Sequence, residues 1–336
     1  MRTVLIINPV SGSDEPNSEQ VPAIEGWLAK GSIVPEVLYT SLEKSGAELA
    51  REAIAKGAEV ILVGGGDGTV GEVARELIQK PVTLGILPIG TFNNIARSVA
   101  IPTDLEQACA IVTAGHVREI DVGVANDEHF FFEAAGAGLD ATLFPIGEEI
   151  KGGRWSRVFQ AAKLTLQYKV QPVALTFDCS IEEALPPGKR RRFRRRRWLS
   201  ERTIHRSALL IVVANGPYYG GGFAVSPGAR LADGRLTVSI YRNFSKLELA
   251  RHFWSIAYGK RRYSPKIETY LVKEVSLTSP VDLPVHVDGQ PFGNLPITLR
   301  AVPAALRVLA PPRAAAKPDP DPPVSLPAPS EAPSRT

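Results

Sequence analysis

Apolar and polar positions follow a strand–helix rhythm over the first 115 residues. Val4–Ile7 is an apolar run closed by Asn8-Pro9, and Val34–Tyr39 reads as a second strand. Ser45–Lys56 has helical periodicity and stops at Gly57. Val60–Val63 runs straight into glycines. Beyond them Val70, Val73, Ala74, Leu77 and Ile78 recur at i, i+3, i+4, i+7 and i+8, one face of a helix. Val82–Leu87 is a further strand. Thr103 with Glu106 makes a capping box for a helix over Asp104–Ala114, ended by Gly115. Strand–helix units of this length imply a parallel sheet covered by helices, so residues 1–120 are assigned to an α/β domain.

Past Val117 the rhythm changes to strands. Arg118–Val124, Phe130–Ala134, Val173–Asp178, Ala208–Ala214, Leu236–Tyr241, Glu274–Thr278, Pro284–Val287 and Pro296–Val308 all read so, with helices at Trp155–Tyr168 and Lys246–Tyr258. Residues 121–310 are therefore assigned to a second, β-rich domain of antiparallel, sandwich-like type, which contains a basic loop at 187–202. The tail at 311–336 is rich in Pro, Ala and Ser. It has too little apolar surface to offset its ordering entropy and is expected to be disordered.

Composition adds little until the charge is mapped. The 336 residues are 44% hydrophobic and 22% charged, as in ordinary globular proteins, and allow two cores of about 150 residues each. The net charge of +4 hides an asymmetry: Lys189–Arg197 carries eight positive charges, so the remainder sums to −4. The basicity is local, and its partner should be a local anionic surface. Two cysteines, Cys109 and Cys179, exclude a disulfide scaffold and favour a reducing, cytoplasmic compartment. The N-terminal apolar run is too short for a secretory signal. Ser207–Ala229 is uncharged, but its glycines and prolines exclude a membrane span.

The chemistry concentrates at strand ends. A strand entering Gly64-Gly65-Gly66-Asp67-Gly68-Thr69 and then a helix presents backbone N–H groups to an anion, while the glycines allow close approach and positive φ. No Lys-Ser/Thr follows, so this is not a Walker A loop. A carboxylate inside a phosphate cradle repels its ligand unless a divalent cation neutralises it. Asp67 therefore points to Mg²⁺ held, through water, between it and nucleotide phosphates. Asn8-Pro9-Val10-Ser11-Gly12 and Leu87–Arg97, which contains Thr91 and Asn93, close two other strands with similar turns. Three such turns at the C-terminal ends of parallel strands mark a ligand crevice.

These segments, NPVSG, GGDGTVGEVA, LPIGTFNNIAR, ANGPYYGGGFAVSPGARLADGRL and VDGQ, resemble the diacylglycerol kinase catalytic-domain family, which includes bacterial lipid kinases and sphingosine kinases, over about residues 1–310. The resemblance implies ATP in a cleft between a nucleotide domain and a β-rich domain, and phosphoryl transfer to a lipid hydroxyl. Carried over by motif, nucleotide contacts fall on Asn8, Pro9, Val10, Ser11, Gly12, Thr40, Gly65, Gly66, Asp67, Gly68, Thr69, Val70, Gly71, Glu72, Thr91 and Asn93. It also implies a structural Mg²⁺ loop, with the Asp233 carboxylate and the carbonyls of Arg230 and Arg235 as ligands. The other reading of that segment, a plain Asp-Gly turn between strands, stays open.

Two positions depart from the family. Its late Asp-Gly-Glu turn supplies a carboxylate that takes the hydroxyl proton, whereas this chain has Asp288-Gly289-Gln290. Gln290 orients a hydroxyl but is no base, so Asp288 is expected to take that role. Asn94 stands where many relatives carry Asp, and the lost charge is expected to alter metal or acceptor contacts. The aromatic-flanked basic segment 189–198 reads as an anchor for anionic lipid headgroups at the inner face of a membrane, with nucleic acid as the less favoured partner. A homodimer is compatible with the sequence. The competing functions are a small-molecule kinase of the NAD kinase or phosphofructokinase type, and a catalytically idle lipid- or nucleotide-binding relative.

Overall fold

A computed structural model describes residues 2–11, 20–142, 163–165, 167–187, 200–222, 224–242, 244–245, 248 and 267–312. Gly12, the basic segment 189–198, most of the two helices expected at 155–168 and 246–258, and the tail from 313 lie outside the described residues.

The first half builds a sheet from β1 (Thr3–Ile7), β2 (Glu36–Tyr39), β3 (Val60–Gly65) and β4 (Thr83–Pro88), all parallel, in the order β2-β1-β3-β4. β1, β3 and β4 are buried along their whole length, which is why they read as continuous apolar runs. Helices α1 (Val21–Ala29), α2 (Gly46–Ala55), α3 (Asp67–Leu77), α4 (Asn94–Ser98) and α5 (Leu105–Ala114) belong to the same half. Ser45 caps α2 through a capping box with Glu48. For α5 the cap is Asp104, whose carboxylate accepts from Gln107 N–H, and not the expected Thr103. The Asp carboxylate one residue later already satisfies the first-turn donor.

The second half supplies β5 (Val117–Ala125), β6 (His129–Phe131), β7 (Ala134–Gly138), β8 (Gln171–Phe177), α6 (Ile181–Ala184), β9 (Thr203–Ala208), β10 (Leu210–Ala214), β11 (Leu236–Tyr241), β12 (Ile267–Val272), β13 (Glu274–Thr278), β14 (Pro284–Val287), β15 (Gln290–Asn294) and β16 (Ile297–Leu309). The expected strand at Phe130–Ala134 is in fact two: the chain bends at Phe132–Glu133 and changes sheets. Strands β9, β12 and β15 were not expected. β9 and β12 alternate buried and half-buried positions and carry charged residues, while β15 is largely exposed.

Among the described residues, β7, β10, β11, β12, β14 and β15 form an antiparallel six-stranded sheet, and the other ten strands form a mixed sheet. β16 joins the two halves of the mixed sheet. Its start pairs antiparallel with β13, and its end pairs parallel with β4 through Arg307 and Val308. Along most of its length it also pairs antiparallel with β5. Ala305–Ala310 consequently belongs to the core of the nucleotide-type half, although it is remote in sequence. A second core fills the space between the two sheets, with Leu175, Val213, Val238, Tyr270 and Val285 buried in it. The fold is thus a parallel α/β layer joined to an antiparallel β-rich body.

Candidate functional site

The site forms where β1, β3 and β4 end side by side. β3 stops at Gly65, Gly66 is the extended N-cap of α3, and Asp67 is the first helical residue. None of Gly64, Gly65, Gly66 and Gly68 has a positive φ, contrary to the expectation for the turn. Close packing is what requires glycine here. A Cβ on Gly90 would strike Gly66 Cα, so the Gly64–Thr69 loop and the Leu87–Arg97 loop touch backbone to backbone. A Cβ on Gly68 would meet nothing within 4 Å, so this face of the helix N-terminus is open. An open helix start with a glycine surface suits a phosphate group.

The neighbouring motifs brace the turn. Asn8 donates to Thr69 Oγ1 at 2.8 Å, and Ser11 Oγ accepts from Gly66 N–H at 3.4 Å. Thr40 follows β2 beside Ile7, and exposed Thr91 lies on the loop after β4. Two residues assigned to the nucleotide are engaged by the protein itself. Glu72 accepts from Gly46 N–H at 3.1 Å and ties α3 to α2. Asn93 adopts a left-handed conformation, and its buried amide bonds Gly90 N–H at 3.0 Å, Gly90 O at 2.6 Å and Pro88 O at 3.4 Å. Its role is to shape the loop. Val70 and Gly71 are buried on the inner face of α3.

Asp67 sits under the start of α4, where Oδ1 accepts from Ile95 N–H at 2.9 Å. Burial pushes its carboxyl up, and the amides of Ile95, Asn94 and Asn93 with the Arg97 charge offset only part of that. A half-buried, partly desolvated carboxylate of this kind welcomes a cation. Among the described residues no group of three or more His, Cys, Asp or Glu side chains could hold a metal ion. A single carboxylate still fits Mg²⁺, which commonly binds through one or two carboxylates, waters and substrate phosphates.

The opposite wall comes from the β-rich body. Asp288 and Gly289 both have positive φ and form a two-residue turn between β14 and β15, a geometry favoured by Asp-Gly. Asp288 is not free to act as a base. Its Oδ2 accepts from Phe132 N–H at 2.9 Å, and its Oδ1 from Glu133 N–H at 2.9 Å and Ala134 N–H at 3.2 Å. It fixes the chain at the bend between sheets. Gln290, at the start of β15, is exposed.

Glu133 was missed in the sequence, and it is the more telling carboxylate. It is buried, and its Oε2 accepts from Asn94 Nδ2 at 2.9 Å and Gly220 N–H at 3.3 Å. Burial, then the Asp288 and Asp67 charges, hold its carboxyl well above the ordinary range. A lone Glu in the apolar run Phe130–Ala137 was the available signal. Position 94 therefore lacks a carboxylate of its own but bonds to one across the cleft.

The second proposed metal segment is an Asp-Gly turn with Gly234 at φ +67, in which Asp233 Oδ1 accepts from Arg235 N–H at 3.1 Å. Buried Asp121, also missed, accepts from Gly234 N–H at 2.6 Å and Ala304 N–H at 3.0 Å. Desolvation and then the Asp121 charge push the Asp233 carboxyl up, so a hard cation with oxygen ligands is chemically compatible with this loop. His116 and His205 are exposed, whereas His286 is buried with Nε2 2.8 Å from Tyr219 Oη and 2.9 Å from Asp140 Oδ2.

Residues 2–125 match the diacylglycerol kinase catalytic domain family, and residues 158–310 match the YegS C-terminal NAD kinase beta sandwich-like domain family. A diacylglycerol kinase of Staphylococcus saprophyticus is 25% identical over 299 residues, 88% of this chain and 90% of the relative. One from Staphylococcus aureus is 25% identical over 319 residues, 92% of each. The crystal structure of a diacylglycerol kinase from Bacillus anthracis superposes with a TM-score of 0.67 at 21% identity, covering 93% of this chain and 97% of that one. No helix among the described residues is long and apolar enough to cross a membrane.

Proposed function

Because the chain belongs to the diacylglycerol kinase catalytic-domain family, we propose that it is an ATP-dependent lipid kinase that phosphorylates a hydroxyl of a diacylglycerol or sphingoid-like lipid. One observation carries the reading: the open glycine turn at the start of α3 holds a half-buried carboxylate, Asp67, facing a second acidic wall. In the reaction the lipid oxygen bonds to the γ-phosphorus as the bond to the β,γ-bridging oxygen breaks, and ADP leaves with that electron pair. The hydroxyl proton passes to Asp67. The loose transition state asks for positioning and charge neutralisation more than for early deprotonation.

The α3 amides and the turns at Asn8–Ser11 and Thr91 orient the phosphates. When bound, Mg²⁺ neutralises phosphate charge; Asp67, through water, would hold one ion, and Asp233 with the Arg230 and Arg235 carbonyls a structural one. The basic segment 189–198 would bring the enzyme to an anionic membrane surface, where the acceptor resides. Transfer of radiolabelled phosphate from ATP to an extracted lipid, identified by mass spectrometry and lost in Asp67→Ala, tests the proposal. The likeness of residues 158–310 to an NAD kinase-type sandwich makes NAD⁺ the competing acceptor, and labelling of NAD⁺ alone would replace the lipid reading.

A further inference from the structure

Glu133 meets three segments of the protein at one point. Its carboxylate accepts from Asn94 Nδ2 and from Gly220 N–H, while Asn94 Nδ2 also donates to Gly220 O at 2.9 Å. These contacts close a ring joining α4, the bend before β7 and the glycine segment after β10. The main chain of Glu133 extends the ring. Its N–H donates to Asp288 Oδ1, and its carbonyl accepts from Asn215 N–H at 2.9 Å and Gly216 N–H at 3.1 Å. One turn along α4, Arg97 Nη1 donates to Gly222 O at 2.8 Å and its guanidinium stacks 4.1 Å from the Tyr218 ring. α4 is therefore docked on the glycine segment twice, and its next amide after Asn94, that of Ile95, holds Asp67.

The chemistry of the ring fixes the Asn94 amide. Both groups facing its nitrogen, Glu133 Oε2 and Gly220 O, are acceptors, so a flipped amide would set oxygen against oxygen. In the fixed orientation Asn94 Oδ1 is buried and has no donor among the described residues. An unpaired buried acceptor is costly, and sites retain one where a ligand supplies the missing donor.

We propose that Glu133 is a positioning residue: it holds Asn94 and the start of α4 against the β-rich body, and thereby sets Asp67 at the angle needed for transfer. The ring is directional: Gly220 O needs the amide nitrogen at position 94, and Gly220 N–H needs the carboxylate at position 133. This inference rests on the kinase reading for its activity readout only.

Asn94→Asp, Glu133→Gln and the exchanged pair Asn94→Asp/Glu133→Gln test it, each with kcat and the KM for ATP separated. Hydrogen–deuterium exchange over residues 93–98 is measured in parallel, with β3 as the internal reference. Each single variant is expected to lower kcat about tenfold or more while the KM for ATP stays within about twofold, because a small misplacement acts on the transition state. Exchange over 93–98 rises in both, β3 stays protected, and the exchanged pair recovers neither readout, because a carboxylate at position 94 would face Gly220 O. An exchanged pair that recovers both readouts, or single variants with wild-type kcat and exchange, overturns the proposal. Wild-type protein that phosphorylates no lipid overturns the kinase reading instead, and the exchange pattern alone then decides on Glu133.

Discussion

Arg75, about two turns along α3 from Asp67, approaches Asp288 of the β14–β15 turn to 3.7 Å. Its Nε also donates to Phe130 O at 3.0 Å, and its guanidinium lies 5.8 Å from the centre of the Phe132 ring. The helix that opens on the glycine turn therefore grips the opposite wall with its far end.

The two partners should differ in cost. Arg75→Ala loses a half-buried ion pair and one hydrogen bond, and is expected to lower stability by about 1–2 kcal/mol. Asp288→Ala strips three backbone N–H groups of their acceptor at the bend between sheets, and is expected to cost about 3–5 kcal/mol. Urea unfolding of both variants measures the order; equal losses would mean the amides find other partners.

Glycine is required at Gly90 and Gly68 for different reasons. Gly90→Ala forces the Gly64–Thr69 and Leu87–Arg97 loops apart and should destabilise the fold by about 1–3 kcal/mol. Gly68→Ala places its methyl in open space, so the melting temperature should stay near wild type while ATP affinity falls. Calorimetric titration with ATP and Mg²⁺ beside a thermal melt separates the two effects.

The acidic wall gives the stability a pH dependence of definite sign. The Glu133 carboxyl is raised above its ordinary 4.5, first by burial and then by Asp288 and Asp67, so the folded state binds that proton more tightly than the unfolded one. Stability from this group is therefore greatest in acid and falls as pH rises from about 4.5 through the folded value. Asp67 and Asp288 are raised too and act in the same direction. Melting curves should show a loss on going from about pH 5 to pH 8 that is smaller in Glu133→Gln.

Cys109 is buried in α5, and burial with the Glu106 charge pushes its thiol up to about 11. At pH 8 about one molecule in a thousand then carries the thiolate. An aromatic disulfide reagent should label half-buried Cys179 in the folded protein and reach Cys109 only after denaturant is added.

The α/β half was legible because its strands are buried on both faces and its helices end at capping residues and glycines, as at Gly57 and Gly115. The face Val70, Val73, Ala74, Leu77 and Ile78 is indeed the buried side of the α3 region. Strands β9, β12 and β15 escaped because charged or exposed positions interrupt their apolar pattern. Burial inside β9 depends on an ion pair, Arg206 with Glu268 of β12 at 2.8 Å, which no periodicity reveals. At the site, backbone-presenting motifs could be located from their glycines and their strand ends. The division of labour among Asp288, Asn93, Asn94 and Glu133 could not, because it depends on which amides their side chains meet across distant segments.

Strand β16 gives the protein an order of completion. Synthesis proceeds from the N-terminus, yet the edge of β4 receives its partner only when Arg307 and Val308 arrive, after the whole β-rich body has been made. The half that would hold the nucleotide begins first and is closed last. A ribosome-bound chain ending before Ile297 would carry the glycine turn beside an uncapped sheet edge.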